Sequence, residues 1–254
     1  MIINRISTTL LDTWRKYITD VQKYGISLVT DETMVLAIMR KSMQSKYMFY
    51  GSALHAILDE PDLYYNKPTD EYIYYKPDLF RKPLKYTSDM IKKCLKAKQE
   101  TEGGINEYKC VKEYNVHGQK VTLVGMVDNI KYTTINEYKT QYGNNPGDFI
   151  HDEFPEYDRD TYDEYLFSMQ WKIYMDIFEG ATSCKYYIVQ LIEQIEKEVI
   201  TFDLYAIATH EYYPYETMHE EIVSELSDLM KFIKERNLMK YTEYDTNLGS
   251  YVIA

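Results

Sequence analysis

Apolar positions recur along the chain in two rhythms, and the change of rhythm divides it. Over residues 7 to 22, Leu10, Leu11, Trp14 and Ile18 fall at helical spacing, with Ser7 or Thr8 placed to cap the first turn. Met34, Ile38 and Met43 predict a second helix over 31 to 46. A third is predicted from near Phe49 through His55 to about Asp59, where Pro61 stops it. Residues 61 to 88, rich in proline, tyrosine and charge, read as an irregular surface excursion. A short basic helix over 89 to 99 is expected to end before Gly103-Gly104.

The middle of the chain alternates instead. Tyr108, Cys110, Tyr114 and Val116 predict a strand closed by a turn at His117-Gly118, and strands follow over 121 to 130 and 135 to 140. Residues 143 to 160, with Asn144-Asn145-Pro146-Gly147, read as a loop. A helix over 161 to 178 carries Tyr165, Leu166, Met169, Ile173 and Ile177 on its apolar stripe. Strands over 184 to 192 and 198 to 206 precede an amphipathic helix over 215 to 236. This order gives an α/β (α+β) fold with a central mixed sheet flanked by helices. With no internal repeat or low-complexity linker, one domain is expected over 1 to 254. Its parts are a helical region over 1 to 100, a core over 105 to 210 and the C-terminal helix.

Composition narrows the function. At 254 residues and 45% hydrophobic, the chain buries a substantial core, which excludes wholesale disorder. No apolar run approaches the roughly 20 residues of a membrane-spanning helix, and Met1-Ile2-Ile3-Asn4-Arg5 does not open a signal peptide. Cys94, Cys110 and Cys184 contain no CxxC pair, which excludes a zinc ribbon and a four-cysteine iron–sulfur site. Their scarcity fits a cytoplasmic chain. A net charge of −11 argues against indiscriminate coating of nucleic acid, though not against a DNA enzyme with bound metal. The 28 tyrosines, against 8 phenylalanines, reflect AT-rich coding and single out no site.

The candidate chemistry lies in Gly125-Met126-Val127-Asp128 and Ile135-Asn136-Glu137-Tyr138-Lys139-Thr140. Glu137 and Lys139 share a strand face. An even hairpin loop around Tyr132-Thr133 brings Asp128 to that face; an odd loop sends it to the other. In the even register, two carboxylates and an ammonium meet, a set that suits Mg²⁺ and an activated water. Acid and lysine two apart also occur on solvated sheet faces as weak ion pairs. Upstream, His55 and Asp59 are four apart on one helix face, as are Gln170 and Tyr174 downstream. A lone helical histidine is more often an ordinary surface or capping residue than a ligand, and Gln170 and Tyr174 read also as the polar edge of an amphipathic helix.

Taken in order, GxxxH at Gly51 to His55, GxxD at Gly125 to Asp128, ExK within Glu137-Tyr138-Lys139-Thr140, and QxxxY at Gln170 to Tyr174 resemble the PD-(D/E)XK nuclease superfamily. The match is to its RecB-like exonucleases, including the phage RecE-type enzymes, and covers roughly residues 5 to 210. The resemblance implies a restriction-endonuclease-like core and a metal-dependent DNA exonuclease acting in recombination or repair. By it, His55, Asp128 and Glu137 are the metal ligands, and Lys139 positions the nucleophilic water. Gln170 and Tyr174 support DNA binding and site geometry. Whether Asp59 or Glu60 joins the metal shell stays open. Mg²⁺ is the implied cofactor, with Mn²⁺ able to substitute. No iron–sulfur cluster is expected, because no cysteine follows Cys184.

The implied partners are double-stranded DNA ends and a single-strand annealing protein, in a bacterial or phage-infected cell; homo-oligomeric rings occur in some relatives. An endonuclease or single-strand-specific nuclease on the same fold is the alternative, and an inactive nucleic-acid-binding module stands behind both. For the DNA track, Arg81, Lys82, Lys85, Lys92, Lys93, Lys96 and Lys98, with Tyr86, read either as a backbone grip or as a solvated helix face.

Overall fold

The structure is a computed structural model that describes residues 2–24, 31–40, 46–76, 82–143 and 169–252. Strand β1 (Ile2–Ser7) leads into α1 (Thr8–Tyr24), α2 (Asp31–Ile38), α3 (Lys46–Asp59) and the single turn α4 (Pro61–Tyr64). Short strands β2 (Tyr65–Asn66), β3 (Glu71–Tyr74) and β4 (Leu84–Thr87) precede α5 (Ser88–Gln99). Long strands β5 (Ile105–Val116), β6 (Gln119–Lys131) and β7 (Thr134–Gly143) are followed by α6 (Gln170–Ile177). Then come β8 (Ser183–Ile195), β9 (Ile200–Tyr212), α7 (Met218–Glu235), β10 (Glu243–Asp245) and β11 (Ser250–Tyr251).

The described strands form one mixed sheet in the order β11-β10-β1-β6-β7-β8-β9-β4-β3-β2, with β5 paired to β6. The pairs β1–β6, β7–β8 and β4–β9 are parallel. Strand β8 lies deep in the sheet and its middle is buried on both sides, so Tyr186, Tyr187, Ile188 and Val189 run without polar alternation. Cys184, Tyr186 and Ile188 join the core beneath α1, α6 and α7, while Val189 and Leu191 join the one beneath α3 and α5. Helix α7 buries Ile222, Leu226, Leu229 and Ile233 along one stripe. The site strands therefore sit between two helical layers.

Several expectations need correction. The described residues between 61 and 88 are not irregular throughout: Tyr72, Tyr74, Leu84 and Tyr86 are buried in β3 and β4, which extend the sheet beyond β9. Their alternation is written in tyrosine, the residue that composition had discounted. The N-terminus begins with β1, whose Ile6 is buried beside β6. Ser7 does cap α1, accepting from the Leu10 amide at 3.1 Å. The helix expected over 31 to 46 ends at Ile38, after which Arg40 takes a positive φ. Helix α3 starts at Lys46, ahead of Phe49. Strands β10 and β11 were not anticipated. The expected loop over 144 to 160, the helix residues 161 to 168 and Arg81 lie outside the described residues. No described helix is long and apolar enough to cross a membrane.

Candidate active site

Strands β6 and β7 pair at Asn129–Asn136, Ile130–Ile135 and Lys131–Thr134. The turn between them is the two-residue Tyr132-Thr133, with Tyr132 at φ 56°. The loop is even, and continuing the register sets Asp128 across from Glu137. At that point the strands part, β6 towards β1 and β7 along β8. Side chains fill the opening. The Asp128 amide donates to Glu137 Oε1 at 3.0 Å, and the Tyr138 amide donates to Asp128 Oδ2 at 2.7 Å. Lys139 Nζ donates to Glu137 Oε2 at 2.8 Å and lies 5.8 Å from the Tyr186 ring centroid.

Electrostatics follow from burial. Glu137 is 1% exposed. Burial lifts its pKa to about 7, with Lys139 opposing the rise and Asp128 adding to it. For Lys139, burial favours losing the proton, but Glu137 and Asp128 outweigh it and hold its pKa above the usual lysine value. The acidic pair is short of positive charge.

A third carboxylate, Asp12 on α1, was missed from the sequence. It accepts from the Met169 amide at 3.4 Å, and also from the Gln170 amide, so it caps the start of α6. Burial raises its pKa to about 6, against the backbone donors and the Lys139 charge. No local signal marked it, since Asp12 falls beside Thr8, Arg15 and Lys16, away from the stripe of Leu10, Leu11, Trp14 and Ile18.

Gln170 opens α6, and Tyr174 lies one turn on, buried, with its hydroxyl donating to the Met126 carbonyl at 2.8 Å. The bond ties α6 to β6 two residues before Asp128. Gly125 makes the approach possible, because a Cβ there would stand 2.5 Å from Tyr174 Cε1 and 2.6 Å from Thr8 Cγ2.

His55 reaches the site from α3, on the opposite layer. With Asp59, Lys98, Asp128 and Tyr138 it lines a cavity of about 340 Å³ whose described walls include neither Glu137 nor Lys139. Asp59 is ion-paired to Lys98, and Glu60 is exposed beyond the helix end. Thus Asp128 joins the two halves: Glu137 and Lys139 on the α1 and α6 side, His55 on the α3 side. Among the described residues, no three His, Cys, Asp or Glu side chains already converge as a metal cage.

In the basic segment, Lys85 is paired to Glu71, Lys93 to Asp89 and Lys98 to Asp59. Lys82 donates to the Glu196 carbonyl, and Tyr86 is fully buried and unavailable for stacking a base. Lys92 and Lys96 are exposed and have no ion-pair partner among the described residues.

No family model matches the chain, and no curated protein matches it. Among solved structures, SSO0001 overlaps at a TM-score of 0.41 and 17% identity, over 90% of this chain and 76% of that one. An alkaline exonuclease from Laribacter hongkongensis, LHK-Exo, overlaps at a TM-score of 0.41 and 11% identity, over 94% of this chain and 91% of its own. Its complex with dAMP gives the same TM-score and identity, over 94% and 92%. Overlaps at this level leave the reading of the site to its own geometry.

Proposed function

We propose that the protein is a metal-dependent DNA exonuclease that hydrolyses phosphodiester bonds at DNA ends for recombination or repair. The observation that carries this reading is the meeting of Asp128, Glu137 and Lys139 where β6 and β7 part. The ordered sequence motifs supply the reaction class.

The donor set fits a hard divalent cation. Mg²⁺ commonly takes one or two carboxylates and completes its shell with water and substrate phosphate, so a ready cage of three side chains is unnecessary. Asp128 and Glu137 would hold it, with His55 available from the Asp128 side. The raised pKa of Glu137 supports this, since a buried acid short of positive charge gains by meeting a cation. When bound, the metal supplies a water of lowered pKa. Lys139 orients that water and faces the negative charge developing on the phosphate. Tyr174 fixes the β6 backbone ahead of Asp128, and Asp12 fixes the helix start that presents Gln170. The reading extends to Mn²⁺ as a substitute, to a single-strand annealing partner and to a homo-oligomer.

Digestion of an end-labelled linear duplex with Mg²⁺, beside a covalently closed circle, EDTA and Lys139→Ala, tests it. The linear substrate should be degraded and the circle spared. Cutting of the circle identifies an endonuclease instead, and undiminished activity in Lys139→Ala refutes the site.

A further inference from the structure

The cavity beside Asp128 continues into a second of about 310 Å³, the two sharing Leu58, Lys98 and Asn106 as walls. Each is in the size range of small-ligand sites, roughly 300–1,000 Å³. Asn106 stands at their junction, and a relay of side-chain amides sets its orientation. Asn129 Nδ2 donates to the Thr101 carbonyl at 3.4 Å and to Asn106 Oδ1 at 2.8 Å, while Asn136 Nδ2 donates to Asn129 Oδ1 at 3.1 Å. A backbone carbonyl only accepts, so the nitrogen of Asn129 must face Thr101. Asn106 must then turn its oxygen to Asn129, leaving its NH₂ for the groove, where no described residue engages it. Gly104 allows this packing, since a Cβ there would lie 2.5 Å from Asn129 Nδ2.

Charge decides what the NH₂ meets. The walls carry the carboxylates of Asp59, Glu102, Glu107 and Asp128, against His55 and Lys98, whose ammonium is already paired to Asp59. A phosphate placed here would be surrounded by like charge. A nucleobase is neutral and offers amino groups to the carboxylates and carbonyl or ring-nitrogen acceptors to the amide, against the apolar sides of Leu58 and Leu95.

We propose that this groove is a nucleobase subsite, in which Asn106 donates to the edge of an unpaired base adjoining the scissile phosphate. The inference rests on the nuclease reading and deepens it, because a base enters only from a single-stranded or frayed end.

Asn106→Asp is the discriminating variant. Its carboxylate still accepts from Asn129, so the relay and the fold persist, but the groove now meets an acceptor in place of a donor. Affinity for fluorescein-labelled dT12 and dA12 is measured by anisotropy in EDTA, with unfolding temperature as a control. Thymine presents two carbonyls and adenine an exposed amine, so the dT12-to-dA12 affinity ratio should move towards dA12 by at least about fivefold. Equal weakening of both strands assigns the groove to the backbone and overturns the proposal, as does no change or a move towards dT12. A wild-type chain that degrades duplex DNA but holds neither strand overturns the subsite alone. One that neither cleaves nor binds removes the nuclease reading and this inference with it.

Discussion

Asp128 and Glu137 each hold the other's strand, the backbone amide of Asp128 donating to Glu137 Oε1 while Asp128 Oδ2 accepts from the amide that follows Glu137. The carboxylates thus replace the ladder bonds lost where the strands part, and the same atoms form the site. Glu137→Gln keeps an acceptor for the Asp128 amide but turns its NH₂ to the Lys139 ammonium and discards the charge. It should cost about 1–2 kcal/mol in urea unfolding, while nuclease activity falls by about 100-fold or more. Glu137→Ala strands both the Asp128 amide and the Lys139 ammonium, and should cost about 2–4 kcal/mol. Equal stabilities for the two variants would remove the clamp.

Gly125 is where α6 meets β6. In Gly125→Ala the new methyl collides with Tyr174 and Thr8, and overpacking of this kind costs about 1–3 kcal/mol. Tyr174→Phe loses the bond to the Met126 carbonyl and the hydroxyl's hydrogen bond with Thr8, about 1–2 kcal/mol together. Combining Gly125→Ala with Tyr174→Ala removes one of the two collisions, so the double variant should be less destabilised than the sum of its parts. Additive losses in thermal unfolding would mean that the ring does not press on this strand.

Asp12 makes stability depend on pH. Its pKa rises from 3.8 to about 6 on folding, chiefly through burial. Between those values the unfolded chain has released the proton that the folded chain keeps, so stability falls as pH rises and the full penalty stands above about 6. Asp12→Asn retains an acceptor for the start of α6 and carries no such penalty. It should be more stable than wild type at pH 8 by up to about 3 kcal/mol, with the gain vanishing near pH 4. A gain of equal size at both pH values would point to another cause.

The strand-borne half of the site was legible because its information is local. A period of two puts Glu137 and Lys139 on one face, and only the parity of a two-residue turn was needed to add Asp128. The helix of His55 was legible too, ending ahead of Pro61 as expected. Which layer that helix covers is a property of sheet order, and no local spacing encodes it; hence the separation of His55 from Glu137 came only with the structure. Asp12 was hidden because its partners, the amides at 169 and 170, are remote in sequence. Strands β3 and β4 were hidden because tyrosine serves there as a core residue.

Ion pairing divides the basic segment. Lys93 is already neutralised by Asp89, whereas Lys92 and Lys96 face solvent. If the segment grips the DNA backbone, each of Lys92→Gln and Lys96→Gln should lower the slope of log Kd against log salt by about 1. Lys93→Gln should change it less. A slope unaltered by the pair Lys92→Gln/Lys96→Gln assigns this helix face to solvent.

Cation capture should follow the titration of Glu137. Its pKa is raised from 4.5 to about 7, and a metal ligand must be ionised to bind, so Mn²⁺ affinity competes with the proton. Below about pH 7 the affinity should climb roughly tenfold per pH unit, and above it the curve should flatten. Lys139 opposes the rise in this pKa; replacing it in Lys139→Met moves the bend to higher pH. If the lysine merely occupied the metal's place, its removal would strengthen binding at every pH without moving the bend. Mn²⁺ titrations followed by electron paramagnetic resonance from pH 5.5 to 8.5, on both proteins, separate these outcomes. An affinity independent of pH across that range would exclude Glu137 as a ligand.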